Sequence, residues 1–279
     1  MIFFPNCKIN LGLNIVSKRD DGYHNLETVF YPLSITDAIE IVQDNNPEDA
    51  DTDIVYSYSG IDINAPIEKN LCVKAYRLLK KDFPDLPKIK LHLHKSIPIG
   101  AGLGGGSADG AFTLQLLNKK FELGLSPDYL ADYALSLGSD CPFFIYNKPI
   151  FATGRGEIFH PIELNLHQYK IVLVYTGFYI NTAEAFSGIT PAIPELSIKE
   201  IIQLSPENWK EKLVNNFETT VFKKYPELEK IKEQLYKAGA IYASMSGSGS
   251  VIYGLFEKGK TIDLNFAGNY YLRESICEF

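Results

Sequence analysis

The residues best suited to chemistry in this chain are the glycines and the serine of the stretch Pro98–Ala111. Glycines dominate positions 100–106, Ser107 follows them, and a run of helix-forming residues comes next. Glycine allows positive φ and a close approach of the backbone to a ligand, so successive N–H groups can converge on an anion. The first turn of the following helix adds free N–H groups and the positive end of its dipole. This composition between a strand and a helix predicts a polyphosphate-binding loop rather than a flexible linker.

The common phosphate-loop patterns do not describe this stretch. A Walker A loop needs a lysine after its last glycine, whereas Gly106 is followed directly by Ser107. The spacing of Gly100, Gly102 and Gly105 satisfies the bare dinucleotide-binding pattern. However, the preceding segment 88–95 alternates polar and apolar residues, whereas the first strand of a Rossmann fold is usually apolar on both faces. The protein-kinase signatures are also absent from the sequence.

Composition limits the class of protein. The 279 residues suffice for one large or two modest domains, and 46% apolar residues support a substantial core. A net charge of −7 without any basic run argues against nucleic acid and anionic membranes as partners. No segment resembles a signal peptide or reaches membrane-spanning length, so we expect a cytoplasmic protein. The scattered cysteines lack metal-binding spacing and are expected to be reduced: Cys7, Cys72, Cys141 and Cys277.

Two further places could supply reactive side chains. Lys8 and Asn10 project from the same face of a strand predicted at 7–15, a face that could equally be an ordinary solvated one. Asp140 follows the end of a helix predicted at 127–137, where it could equally be a capping or turn residue. Phosphoryl transfer needs positioning, charge neutralisation and a group that accepts the hydroxyl proton. An aspartate near a lysine could accept that proton, and the lysine would keep the carboxylate ionised.

Periodicity and turn residues predict an alternating order of strands and helices. Strands are predicted at 7–15, 23–31, 38–43, 54–58, 88–95, 170–175, 240–245 and 250–256. Helices are predicted at 70–81, 107–119, 127–137, 197–204, 206–216 and 226–238. The polar segment 44–53 is predicted to be a surface loop, and a domain boundary is placed near residue 160. The glycine- and serine-rich segment Ser246–Ser250 is either a simple hairpin turn or a second wall of the anion site.

Residues 98–108 resemble the phosphate-binding motif of the GHMP kinases, Pro-x-x-x-Gly-Leu-Gly-Ser/Gly-Gly-Ser-Ala/Ser, at every defining position. Further segments similar to one branch of that family occur in the family's order: Pro5–Leu11, Asp21–His24, Glu27–Phe30 and Leu137–Pro142. The resemblance extends from residue 4 to the 246–250 loop. It implies a two-domain α+β fold, with a ribosomal-S5-like N-terminal domain at 1–160 and a ferredoxin-like C-terminal domain at 161–279. The substrate would lie in the cleft between these domains.

The resemblance also implies an activity. ATP with Mg²⁺ would donate its γ-phosphoryl group to the 2-hydroxyl of a methylerythritol unit carried by cytidine diphosphate. Asp140 would accept the proton, and Lys8 would orient Asp140. The implied nucleotide-binding residues are Asn70, Lys95, Pro98, Gly100, Ala101, Gly102, Leu103, Gly104, Gly105, Gly106 and Ser107, with Ser107 also a Mg²⁺ ligand. The implied substrate-binding residues are Asn10, Tyr23, His24, Thr182, Phe186, Gly247 and Gly249.

A few positions depart from the family pattern. Cys7 replaces the usual alanine before the lysine, and Ala101 and Asp109 vary the phosphate loop. Serines occupy the 246–250 loop where threonine or proline is common. None of these changes removes a chemical role, although the sequence offers no reason for the negative charge of Asp109 beside a phosphate site. Small molecules are the expected partners, with no nucleic acid, no membrane and no obligate protein partner.

Overall fold

Two structural units share the chain, and neither is continuous in sequence. The computed structural model describes residues 1–45, 53–266 and 270–277. Unit 1 consists of Met1–Cys7, Thr36–Ile99 and Gly104–Asn147, and unit 2 of Lys8–Ile35, Gly100–Leu103 and Lys148–Phe279. The domain boundary near residue 160 divides the chain along its sequence and stays a prediction.

Strands and helices alternate along much of the chain, as an α+β fold requires. The strands are β1 (Ile2–Phe3), β2 (Asn6–Lys18), β3 (His24–Thr36), β4 (Ala38–Gln43), β5 (Ile54–Gly60), β6 (Ile89–Lys95), β7 (Ile150–Thr153), β8 (Ile158–Pro161), β9 (Tyr169–Tyr175), β10 (Tyr242–Met245), β11 (Ile252–Glu257) and β12 (Tyr271–Ile276). The helices are α1 (Leu71–Asp82), α2 (Gly105–Lys120), α3 (Pro127–Leu137), α4 (Cys141–Tyr146), α5 (Thr182–Ser187), α6 (Ile198–Ile201), α7 (Phe217–Lys224) and α8 (Pro226–Lys237). None of the helices in the described ranges has the length and apolarity needed to cross a membrane.

Unit 1 contains a four-stranded sheet in the order β1-β4-β6-β5 together with helices α1–α4. Strand β5 runs parallel to β6, and β4 runs antiparallel to it. The apolar residues of β6 are buried, whereas Lys90 and His94 are exposed, which confirms the half-exposed strand predicted at 88–95. The exception is Lys95 at its end, which is buried. Helix α3 has the predicted bounds because Ser126 accepts a capping hydrogen bond from the Tyr129 amide and Gly138 follows its last residue.

Unit 2 contains two four-stranded sheets, in the orders β2-β3-β7-β8 and β10-β11-β9-β12. Strand β9 is antiparallel to both β11 and β12. Val172 and Val174 of β9 belong to an apolar core with residues of β2, α7 and α8, including Leu13, Val221 and Leu235. The loop Ser246–Ser250 joins strands β10 and β11 of this sheet.

The prediction of a helix at 206–216 is wrong. Pro206–Asn208 is a single 3₁₀ turn, and the next helix, α7, begins only at Phe217. The reason is a tertiary contact. Leu13 donates its N–H to the Val214 carbonyl and accepts a hydrogen bond from the Asn216 amide, so this segment pairs with β2 instead of coiling. The helix predicted at 197–204 is shortened to α6.

Candidate active site

The second half of the glycine loop forms the beginning of helix α2 in unit 1. Gly104 is the N-cap residue with φ of 69° and contributes no side-chain cap. The N–H groups of the first helical turn have no partner within a helix, so those of Gly105, Gly106 and Ser107 remain available to a ligand. Gly106 is exposed, and a Cβ placed on it would meet nothing within 4 Å. This end of α2 therefore presents donors beside open space.

The first half of the loop, Gly100–Leu103, belongs to unit 2 and lies against the Ser246–Ser250 loop. Gly102 has φ of 80°, and a Cβ there would lie 2.0 Å from the Ser246 carbonyl oxygen. The Ser246 hydroxyl donates to the Gly102 carbonyl oxygen at 2.8 Å, and the Val251 amide donates to the Ala101 carbonyl oxygen at 3.1 Å. The structure therefore packs the second glycine- and serine-rich loop, with Gly247 and Gly249, against the first. Its contribution to anion binding stays a prediction.

The polar face of β2 is buried, so the alternative of a solvated face is wrong. Lys8 is 3% exposed and Asn10 is 2% exposed. The Lys8 ammonium donates to Asn10 Oδ1 at 2.7 Å and lies 4.8 Å from the centre of the Phe30 ring. Asn10 Nδ2 in turn donates to Thr28 Oγ1 at 2.9 Å on β3. These contacts fix the orientation of the buried ammonium, and its role in catalysis stays a prediction.

Asp140 lies in unit 1, directly between α3 and α4. It occupies the N-cap position of α4 but makes no side-chain capping hydrogen bond, so helix capping does not explain it. Burial raises the pKa of the thiol of the next residue, Cys141, to about 12. The Gln115 side chain of α2 donates to the Phe144 carbonyl oxygen of α4 at 3.1 Å, which holds the two helices together. The half-buried Asp140 therefore begins a helix that contacts the phosphate loop's helix.

An aromatic cluster in unit 2 contains two of the predicted substrate-binding residues. The His24 imidazole stacks on the Phe186 ring at 4.7 Å with an interplanar angle of 12°. Phe186 also meets Phe217 edge to face at 4.8 Å. Thr182, which begins α5, has its hydroxyl 3.0 Å from the Ser248 hydroxyl. The structure thus brings the Asp21–His24 turn, α5 and the 246–250 loop into one region of unit 2.

Tyr23 is exposed, and the Arg155 guanidinium lies 4.9 Å from the centre of its ring. Arg155 was not predicted to be a site residue. It sits in the turn between β7 and β8, and no pattern in that short segment links it to a tyrosine more than a hundred residues earlier. The contact places a cation beside a predicted substrate-binding ring.

The nucleotide-side residues of unit 1 have well-defined partners. Asn70 caps α1 by accepting a hydrogen bond from the Cys72 amide, and its Nδ2 donates to the Tyr56 hydroxyl. The Lys95 ammonium donates to Asp37 and Asp109. Their roles toward an adenine ring stay predictions.

The structure explains the negative charge of Asp109. Its carboxyl is buried and faces Lys95, not the exposed side of the loop. Burial raises the pKa of this carboxyl to about 7, while the Lys95 charge acts in the opposite direction. Sequence reasoning missed the third member of this group, Asp37, because nothing in the local sequence distinguishes it from an ordinary loop aspartate.

The comparisons with known proteins agree with this arrangement of loops. The model of the GHMP kinases N terminal domain matches residues 70–148, and that of the GHMP kinases C terminal domain matches residues 189–264. The chain belongs to the GHMP kinase family. It is therefore a small-molecule kinase with an α+β fold, and this family uses ATP.

Relatives and a solved structure narrow the similarity further. The 4-diphosphocytidyl-2-C-methyl-D-erythritol kinase of Parabacteroides distasonis is 53% identical over 92% of both chains. The enzyme of the same name from Bacteroides thetaiotaomicron is 54% identical over 94% of both chains. A crystal structure of 4-(cytidine 5'-diphospho)-2C-methyl-D-erythritol kinase superimposes with a TM-score of 0.76 at 28% identity, covering 91% of this chain and 90% of that one.

Proposed function

We propose that this protein transfers the γ-phosphoryl group of ATP to the 2-hydroxyl of 4-diphosphocytidyl-2-C-methyl-D-erythritol, a step of the non-mevalonate route to isoprenoid precursors. The names of the similar kinases support the substrate. The observation that carries the chemistry is the contact between α4, whose N-cap residue is Asp140, and the helix of the phosphate loop, where Gln115 donates to carbonyl oxygens of α4. A proton acceptor beside a polyphosphate cradle is what phosphoryl transfer to an alcohol requires.

In this proposal the chain's own residues position the reactants and move one proton. The substrate oxygen attacks the γ-phosphorus as its hydroxyl proton passes to Asp140, and ADP leaves. Lys8 orients Asp140 and offsets the charge that develops in the transition state. Lys8 lies in unit 2 and Asp140 in unit 1, so their pairing rests on the family resemblance. The phosphates of ATP are cradled by the N–H groups of 100–107, which follow the buried Pro98.

Magnesium is proposed to enter with ATP rather than to occupy a protein-built site. The described residues include no group of three or more histidine, cysteine or acidic side chains able to hold a metal. This fits Mg²⁺, which commonly keeps several waters and takes phosphate oxygens with one or two protein ligands. Ser107 is the proposed protein ligand, and the bound ion would neutralise charge on the phosphates.

The remaining assignments complete the proposal. Asn70 and Lys95 lie on the adenine side of the nucleotide site, and the cytidine diphosphate is held by Asn10, Tyr23, His24, Thr182, Phe186, Gly247 and Gly249. The N-terminal domain spans 1–160 and the C-terminal domain 161–279. The enzyme works in the cytoplasm without an obligate protein partner.

ATP consumption measured with three acceptors tests the proposed substrate. We expect ADP to form rapidly with 4-diphosphocytidyl-2-C-methyl-D-erythritol and only at background rates with homoserine or mevalonate, because the latter two lack a cytidine. Equal or greater turnover of homoserine or mevalonate would contradict the proposal, since both are acceptors for other small-molecule kinases of this class.

Substitution of Gly106 tests the phosphate cradle. Neither backbone conformation nor packing requires glycine here, because its φ lies outside the left-handed region and its Cβ position is open. Gly106→Val should therefore leave the melting temperature nearly unchanged. It should raise the KM for ATP about tenfold, equivalent to about 1.4 kcal/mol, because the added side chain obstructs the approach of a phosphate. An unchanged KM for ATP in a normally folded variant would show that phosphates bind elsewhere.

Substitution of Phe186 tests the pyrimidine site. If its ring stacks on the cytosine, Phe186→Ala should weaken substrate binding by about five- to 150-fold, from a lost stack of roughly 1–3 kcal/mol, and leave ATP affinity nearly unchanged. Phe186→Tyr should restore most of the affinity because it keeps the π-face. Calorimetric titration with each ligand provides the measurement.

Packing is the competing explanation for Phe186, since the ring is half-buried between His24 and Phe217. Phe217→Ala is the matched control, because Phe217 is only 3% exposed. Truncation of this ring should lower the free energy of unfolding by roughly 3–5 kcal/mol. Should Phe186→Ala behave like this control, with a large drop in melting temperature and equal losses for both ligands, the cytidine site lies elsewhere.

A further inference from the structure

Three charged side chains are buried together behind the phosphate loop, and we call them the Lys95 cluster: Asp37, Lys95 and Asp109. The Lys95 ammonium donates to Asp37 Oδ2 at 2.5 Å and to Asp109 Oδ2 at 2.6 Å. The side chains are only 3%, 0% and 5% exposed for Lys95, Asp37 and Asp109 respectively. All three belong to unit 1.

The cluster connects the two ends of the phosphate loop. Lys95 is the last residue of β6, and Asp37 Oδ1 accepts hydrogen bonds from the next two amides, Ser96 at 2.6 Å and Ile97 at 2.9 Å. Asp109 lies in the second turn of α2, which leaves the loop. The bond between Lys95 and Asp109 therefore fastens the chain that enters the loop to the helix that follows it.

The ammonium of this cluster lies directly beneath the start of α2. A Cβ placed on Gly105 would lie 3.0 Å from Lys95 Nζ and 2.9 Å from Ile97 Cγ2. Gly105 is buried, while Gly106 is exposed. The cluster thus holds the buried side of the same helical turn whose free N–H groups point out of the N-terminal end of α2.

Stability is a weak explanation for such a cluster. Burying three charges carries a large desolvation cost, and apolar residues of similar volume are often equally or more stabilising. Within the described residues, Asp109 Oδ1 has no hydrogen-bond partner, which adds to that cost. What the cluster supplies that apolar packing does not is a fixed direction, because each charged hydrogen bond defines both a distance and an angle.

We propose that Asp109 and Asp37, acting through Lys95, are positioning residues for ATP. They fix the first turn of α2 against the end of β6, so that the N–H groups of Gly105, Gly106 and Ser107 point in one direction before ATP binds. Donors that are aligned beforehand bind an anion more tightly, since no ordering is needed on binding. This inference rests on the proposed function, in which that turn holds the phosphates.

The test compares variants of Asp109 by titration with ATP and by steady-state kinetics. Asp109→Ala should weaken ATP binding and raise the KM for ATP by about tenfold, the scale expected for loss of a charge-assisted hydrogen bond. The KM for the phosphoryl acceptor should stay within about twofold, well below a tenfold change. Asp109→Asn should recover most of the ATP affinity because its amide oxygen can still accept from Lys95. If Asp109→Ala does not fold, the same measurements are made on Asp109→Leu. Leucine fills the space of the aspartate side chain but cannot accept a hydrogen bond from Lys95.

Asp44→Asn provides a matched control. Asp44 is also a buried carboxylate of unit 1, 3.2 Å from the Lys90 ammonium. It directly follows β4 and lies beside the first residue of β6, whereas Lys95 is the last residue of β6. At roughly 3.3 Å per strand residue, the two positions are about 20 Å apart along the strand. This variant should leave both KM values unchanged.

Two results would overturn the inference. The first is an unchanged ATP affinity in folded Asp109→Ala or Asp109→Leu. The second is an equal rise in both KM values with a lower melting temperature that Asp109→Asn does not correct, which would indicate a purely structural role. Failure of the wild-type protein to bind ATP at all would overturn the proposed function itself, and this inference with it.

Discussion

Asp140→Asn should lower kcat by about 10²–10⁴-fold, the usual contribution of a positioned general base. The amide keeps the size of the carboxyl but cannot accept the hydroxyl proton. ATP binding should persist, because the N–H donors of the phosphate loop belong to α2 and the preceding residues. Rapid-quench kinetics combined with calorimetric titration of ATP would measure the two quantities separately.

The structure indicates how to distinguish a catalytic effect of Asp140→Asn from a structural one. Asp140 makes no capping hydrogen bond to α4, so its loss should not shorten that helix. The melting temperature of Asp140→Asn, measured beside that of the wild type, separates a loss of proton transfer from a loss of folded protein. Turnover within a factor of about three of wild type would contradict the assignment of Asp140 as the general base. Such a small loss lies far below the contribution that a general base usually makes.

Lys8→Met should also reduce kcat strongly, by roughly 10²-fold, and should change the KM for either substrate much less. Methionine retains most of the apolar length of lysine but removes the charge that offsets developing negative charge in the transition state. The ammonium is buried and donates to Asn10, so its charge is held in one place in the folded protein. Initial rates over a matrix of ATP and acceptor concentrations would separate kcat from KM.

The double variant provides an independent check on the pair. If Lys8 acts by orienting Asp140, the combined loss in Lys8→Met with Asp140→Asn should be much smaller than the product of the single losses. A purely multiplicative loss would show that the two residues act separately. A change confined to KM in Lys8→Met would show that Lys8 binds only the ground state.

Local signals in the sequence were sufficient to predict a helix or strand when the residues that end it lie within or next to the segment itself. Ser126, Pro127 and Gly138 set both ends of α3, and the alternation in 89–95 defined β6 with its exposed face. Helix α8 likewise begins at a proline and ends at Lys237, two residues before Gly239. In each case the capping or breaking residue acts within a few positions of the boundary, so no distant contact is needed.

Pairing between residues distant in sequence accounts for the elements whose predicted and observed secondary structure differ. The segment 206–216 has helical spacing, yet its last residues pair with Leu13, about two hundred positions earlier. The short strands β7 and β8 each have only four residues, too few to show an alternating pattern, and Gly154 with φ of 69° turns the chain between them. Strand β12 depends on its pairing with β9 and was also missed.

The same distinction holds for the candidate site. The glycine loop, Lys8 and Asp140 could be proposed as site residues from the sequence because each lies in a contiguous motif, and their roles stay predictions. The burial of Lys8 could not be predicted from β2 alone, since it depends on Thr28 and Phe30 of the neighbouring strand β3. Asp37 and Arg155 were missed because their partners, Lys95 and Tyr23, are distant in sequence. Motifs identify the groups that react, whereas tertiary contacts determine how those groups are held.

The most direct test of the central claim follows the transferred phosphoryl group itself. The purified protein is mixed with γ-labelled ATP, Mg²⁺ and 4-diphosphocytidyl-2-C-methyl-D-erythritol, and the products are separated and examined by ³¹P NMR. Our account predicts one labelled monophosphate ester on the 2-hydroxyl for each ADP formed, with the diphosphate of the acceptor intact. Label released as inorganic phosphate, or absence of label from the acceptor while ATP is bound, would contradict it.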